Sequence, residues 1–174
     1  MSKEIDVVGG FKTTQGATNA ADRLVAEGFD RDAISIVLAE QARQEFVTVK
    51  DGNKGLEGAA AGGAAGGVAG AVFAGLAAAA TVIVPGLGLA VAGPLVAAFA
   101  GGGAGATAGG IIGGLVGLGM REHEAKLYEK TLKEGGVLVA VRVSSTERAK
   151  RAQEVLSEVG ALRTVMESGH AIHA

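Results

Sequence analysis

Few residues in this chain have types and spacings that could do chemistry. His123 is followed by Glu124, but a zinc-peptidase helix needs a second histidine four residues after the first, and Leu127 stands there. The pair reads as a solvated helix face. His170 and His173 are three residues apart, a spacing that could grip a metal from one helical turn, but they lie in a C-terminal tail that reads as frayed. The glycines at 86, 88 and 93 do not have G-x-G-x-x-G spacing, and no glycine-rich run leads into Lys-Ser or Lys-Thr, so no phosphate cradle is present. Ser144 has Glu147 three residues later, a capping box in which hydroxyl and carboxylate satisfy exposed N–H groups, and neither Ser144 nor Ser145 needs to be a nucleophile. No catalytic residue, metal ligand or cofactor site is assigned, and the expectation is a non-enzymatic protein.

Composition narrows the partners. Sixteen basic and eighteen acidic residues leave a net charge of -2, so the clustered Lys and Arg that nucleic acid requires are missing and no nucleic-acid partner is expected. The 174 residues are 48% hydrophobic but only 3% aromatic, with 30 glycines and no cysteine. The apolar content is therefore mostly Ala, Val and Leu, and disulfides and thiolate metal sites are excluded. The stretch Met1 to Asp6 carries acidic residues and no apolar run, unlike a secretory signal, so the polar parts are expected in the cytoplasm.

The informative feature is the middle. From Gly58 to Met120 there is no Asp, Glu, Lys, Arg or His. Glycine falls at Gly101, Gly105, Gly109, Gly113 and Gly117, a period of four, and at Gly58, Gly62, Gly66 and Gly70, continued by Ala74 and Ala78. On a helix this period gives a stripe without side chains, where a partner backbone can approach closely. Pro85, Gly86, Gly88, Gly93 and Pro94 mark a tip between two expected helical arms, 58–84 and 95–120. Each arm is long enough to cross a hydrocarbon layer of about 30 Å. Their glycine content costs on the order of 14 to 17 kcal/mol in helix propensity relative to alanine, so lipid or a dry oligomeric core must offset it. An alanine-glycine tract can be low-complexity sequence, but the regular spacing and the bulk gathered between Val72 and Phe99 argue for packed helices.

Two strand-helix-strand units flank this segment. In 1–54, the alternation of Ile5, Val7, Gly9 and Phe11 reads as a strand. Ala17, Ala20, Ala21, Leu24 and Val25 read as a helix ended by Gly28, and Ile34 to Leu38 as a second strand, with a further candidate at Phe46 to Val49. In 121–174, an amphipathic helix from Glu122 to Lys133 leads to the strand Val137 to Val143. A helix to Val159 ended by Gly160 follows, then a strand over Leu162 to Met166. The expected fold is α+β: a split ferredoxin-like βαβ-βαβ sandwich with a long glycine-zipper helical hairpin, 55–120, inserted between its halves.

Val7-Val8-Gly9-Gly10-Phe11, the turn Glu27-Gly28-Phe29-Asp30, the tip Pro85-Gly86-Leu87-Gly88, then Tyr128-Glu129 and Gly135-Gly136-Val137-Leu138-Val139 carry a resemblance over nearly the whole chain. It resembles a bacterial family of general stress or low-temperature-induced proteins. The resemblance implies a split ferredoxin-like domain with a glycine-zipper hairpin, a stress context and no catalytic residues. Gly16 departs from the acidic residue expected early in the first helix, which implies a weaker cap.

Taken together, the expectation is a homo-oligomer joined through its zippers. One form is a hairpin in or on the bacterial inner membrane with the lipid bilayer as partner and the sandwich in the cytoplasm. The other is a cytoplasmic ring, tube or filament with the zippers buried between subunits.

Overall fold

The computed structural model describes residues 4–42, 82–84, 86–101 and 103–168. The predicted arm residues 58–81, Pro85, the candidate strand Phe46 to Val49, and His170 and His173 lie outside them.

The fold is mixed α+β around one six-stranded sheet, all of whose pairings are antiparallel. In chain order the elements are β1 (Ile5–Phe11), α1 (Thr14–Ala26), a 3-10 turn (Arg31–Ala33), β2 (Ile34–Ala39), β3 (Val82–Val84) and β4 (Leu89–Ala92). They continue with α2 (Leu95–Gly101), α3 (Gly103–Gly117), α4 (Glu122–Lys133), β5 (Val137–Val143), α5 (Thr146–Glu158) and β6 (Thr164–Ser168). Across the sheet the strands run β3-β4-β2-β5-β1-β6. The opening strands of the two βαβ units, β1 and β5, are the central pair of the flanking halves, with Ile5 opposite Val143 and Phe11 opposite Val137.

Strand alternation sends side chains to two faces, and both faces are buried. Val7, Phe11, Ile34, Ile36, Val139 and Val141 meet Ala17, Ala21 and Leu24 of α1 and Ala152, Val155 and Leu156 of α5. Val8, Val37, Leu138 and Ala140 face the other way, toward Leu95 and Phe99 of α2, Ile111 and Leu115 of α3, and Tyr128 and Leu132 of α4. The protein is thus three layers deep, helices on each side of the sheet, which explains why β1 and most of β5 are buried at consecutive positions.

Local signals place the outer helices. Thr13 caps α1 by accepting from the Gly16 N–H at 3.1 Å, so this helix has a side-chain cap despite an acid-free first turn. Gly28, Gly135 and Gly160 take φ of 82°, 83° and 88° just beyond α1, α4 and α5, the conformation that lets the chain leave a helix. The cap of α5 is Ser145, accepting from Arg148 N–H, one residue later than the predicted Ser144. The last strand is Thr164–Ser168 and not Leu162 to Met166: the Ala161 N–H still closes the turn onto the Leu156 carbonyl, and the Leu162 N–H and the Arg163 carbonyl both bond Gly10 of β1, two residues against one, so regular pairing starts at Thr164 opposite Gly9.

The predicted second arm, 95–120, is not one helix. It is two, α2 and α3, and α3 is itself kinked where Gly110 adopts φ 63° and ψ -149°. Ten glycines scattered over 95–120 weaken continuity, and the apolar anchors Leu95, Phe99, Ile111 and Leu115 gain more from lying on the sheet than from staying collinear. Nor does the predicted first arm end in a helix: its residues 82–84 are strand β3, and the tip region forms a β-hairpin with β4, Val84 opposite Leu89. The β-branched run Val82-Ile83-Val84 favours strand over helix.

Candidate functional site

The α2–α3 layer is positioned from the tip outward. Gly86 and Gly88 take φ of 81° and 62° to turn the β3–β4 hairpin, with open space around each. Gly93, at φ 85°, lies against β2 so closely that a Cβ there would overlap the Ile34 carbonyl oxygen and come within 2.7 Å of Ser35 Cα. This approach brings Pro94 beside the sheet and lets the buried hydroxyl of Ser35 accept the Leu95 N–H at 3.1 Å, so a strand residue caps α2. Of the predicted tip residues, Gly86 and Gly88 therefore turn the β3–β4 hairpin, and Gly93 and Pro94 seat the start of α2 on β2.

The glycines of the predicted stripe have different surroundings. Gly109 and Gly117 are exposed, with no atom of another described element within 4 Å of where a Cβ would stand, and Gly113 between them is half-buried. Gly101 closes α2 and Gly105 lies in the first half of α3. Gly114, which is off the stripe, is the glycine of α3 used inside the chain: a Cβ there would lie 2.5 Å from Phe99 Cε1 and 2.8 Å from Cδ1, so the ring packs closely against its backbone. The reason is energetic. Turning Ile111, Leu115 and Leu118 to the sheet removes large side chains from water, worth roughly 1.5 to 3 kcal/mol each, and leaves Gly117 outward on the opposite side. Val116, 42% exposed, stands within that outward face. Gly58, Gly62, Gly66 and Gly70 lie outside the described residues.

Connectivity bears on the expected bilayer crossing. A transmembrane hairpin would carry 85–94 to the side opposite β5. Here β4 pairs with β2 and β2 with β5, so the tip and the flanks share one sheet. Among the described residues no helix is long and apolar enough to cross a membrane.

Titratable groups are mostly committed to structure. Arg142 holds Asp6 through two bonds of 2.9 Å, from Nε to Oδ1 and from Nη2 to Oδ2, across directly opposite positions of β5 and β1. The Asp6 carboxylate raises the Arg142 pKa further above its already high value. Glu124, 2% exposed, accepts from Arg121 Nη2 at 2.6 Å and Nε at 3.2 Å, and that pairing lowers its pKa. His123 is solvent-exposed, 4.0 Å from Glu124 Oε1. Asp22 of α1 differs: its Oδ1 is buried without a hydrogen-bond partner, and desolvation, only partly offset by Arg31, pushes its pKa up to about 6.

One cleft, of about 510 Å³, lies at the end of the sheet, lined among others by Glu4, Asp30, Asp32, Arg142 and Arg148. Its cations are occupied. Arg142 is paired with Asp6, and Arg148 donates to the Gly28 carbonyl at 2.8 Å while stacking on Phe29, 4.4 Å from the ring centroid. No group of three His, Cys, Asp or Glu that could hold a metal occurs among the described residues.

Sequence reasoning missed the β3–β4 hairpin, the Ser35 cap, Gly114 and the Asp6–Arg142 pair. The first had a signal, β-branched residues before Pro85-Gly86 and the alternating Leu89-Ala90-Val91-Ala92 after it. The other three depend on contacts between segments far apart in the chain.

In this setting the comparisons with known proteins are specific to the first part of the chain. Residues 6–83, from β1 into β3, match the family model described as the heat induced stress protein YflT domain. The match supports a bacterial general stress protein family, the class the sequence resembles. No curated protein and no solved structure matches the chain.

Proposed function

We propose that this is a non-enzymatic, stress-associated protein that assembles with copies of itself through the outward face of α3, on a split ferredoxin-like frame. The observation that carries the assembly is the open face itself. In the half of α3 beyond the Gly110 kink, Gly117 has open space beyond its backbone among the described residues, and the exposed Val116 stands beside it in turns that carry no charged residue. A solvated helix face ordinarily carries polar side chains, whereas bare backbone beside an apolar residue suits a closely approaching helix. The frame is supported by the order β2-β5-β1-β6 with α1 and α5 on one face, to which β3 and β4 add an extension. The stress association follows the match at residues 6–83.

The test is sedimentation velocity of the full chain in detergent-free buffer, beside the variant Val116→Glu. The wild type is expected as an oligomer and Val116→Glu as a smaller species with unchanged circular dichroism, since Val116 lies outside both packed cores. A monomeric wild type over the accessible concentration range, or a variant of the same mass, overturns the reading. Flotation of the wild type with lipid vesicles, abolished by the same substitution, would assign the face to a bilayer instead.

A further inference from the structure

Among the described residues the two ends of the sheet are open: β3 pairs there only with β4 and β6 only with β1. Among the described residues, four of the six exposed large hydrophobics, Val82, Ile83, Leu162 and Met166, lie on or beside these edge strands. Natural sheets blunt such edges with Pro, Lys or bulges, and Leu162 to Ser168 contains neither Pro nor Lys. Of the two edges, β6 is the longer at 5 residues, against 3 for β3.

We propose that β6 pairs antiparallel with β6 of a second copy, about a two-fold axis through Val165, to give one sheet continuous across both copies. The register follows from charge. A two-fold perpendicular to the sheet pairs residues of like parity, so the axis falls at Thr164, Val165 or Met166. Centring on Thr164 sets Arg163 opposite Val165, and centring on Met166 sets Glu167 opposite Val165. Only the Val165 centre sets Arg163 opposite the second copy's Glu167, and symmetry makes that contact twice. The same register puts Met166 opposite Thr164 and covers a methionine that is 38% exposed in the single chain. Arg163 is exposed, and its backbone carbonyl, not its side chain, receives the Tyr128 hydroxyl, which leaves the guanidinium side available. This edge is separate from the α3 face.

Charge reversal tests the register, in the Val116→Glu background so that the α3 contact is absent. Sedimentation equilibrium of the full chain should show a dimer. Arg163→Glu alone and Glu167→Arg alone should each weaken it by about tenfold or more, since two cross-strand attractions become repulsions. The double swap should restore the dissociation constant to within about threefold. A monomer at all concentrations in that background, indifference to the single swaps, or a double swap no tighter than the singles overturns the proposal. If Val116→Glu changes nothing while the swaps behave as stated, the α3 reading fails and the β6 pairing stands.

Discussion

Replacing Gly93 by alanine should be one of the most damaging single-methyl additions in the molecule. Two effects combine at that position. At φ 85° an L side chain costs about 1 to 2 kcal/mol from its own backbone. The added Cβ also overlaps the Ile34 carbonyl oxygen and lies 2.7 Å from Ser35 Cα and 2.8 Å from Ser35 Oγ. Two of these three are backbone atoms of a central strand, so the loop must retreat and draw Leu95 N–H away from Ser35 Oγ, a buried capping bond worth about 1 kcal/mol. The expected total is about 3 to 4 kcal/mol, a fall in melting temperature of roughly 6 to 16 °C for a chain of this size. Gly86→Ala is the internal control. Its φ, 81°, is nearly the same, but nothing lies within 4 Å of the new methyl, so only the backbone cost of about 1 to 2 kcal/mol applies. Urea or thermal unfolding of both variants separates the steric contribution from the conformational one. Equal losses in the two would refute the claim that the 93–95 loop is seated on β2.

Other outcomes follow from the same contacts. Gly114→Ala should destabilise by about 1 to 3 kcal/mol because Phe99 is buried and its ring has to move. Gly117→Ala, with open space around it, should be neutral or stabilise α3 by up to about 1 kcal/mol, read by urea unfolding at concentrations low enough to keep subunits apart. For Asp22, the folded pKa of about 6 lies above the ordinary 3.8, so the folded state favours the protonated acid. The cost of its charge is absent below about pH 3.8, grows as pH rises and is full above about pH 6. Asp22→Asn should therefore stabilise by about 1 kcal/mol near pH 7.5, after allowance for solvent screening, and this gain should vanish near pH 3.5. A gain that is the same at both pH values would show that charge burial is not its source.

Much of the outer frame was legible in the sequence because it is encoded locally. The alternation in β1 and β5, the apolar spacing of α1, α4 and α5, and the glycines at 28, 135 and 160 each act within a few residues, so reading them needs no knowledge of the rest of the chain. The Glu122–Lys133 helix was placed to the residue. The absence of charge from Gly58 to Met120 and the glycine period at 101, 105, 109, 113 and 117 were equally plain. What periodicity left open was which side of that helix turns inward. In α3 the glycine stripe and the row of Ile111, Leu115 and Leu118 lie on different sides, and the sequence alone does not say whether a partner helix or a sheet takes the bulky side. The tertiary structure decides it: β1, β2 and β5 present Val8, Val37, Leu138 and Ala140 on a face that would otherwise be wet, and α2 to α4 cover it. Burying those side chains is worth more than an unbroken helix, so the segment breaks at its glycines and lies down on the sheet. The tip follows for the same reason, becoming β3 and β4 because Gly93 permits a backbone approach to β2 that any side chain would block.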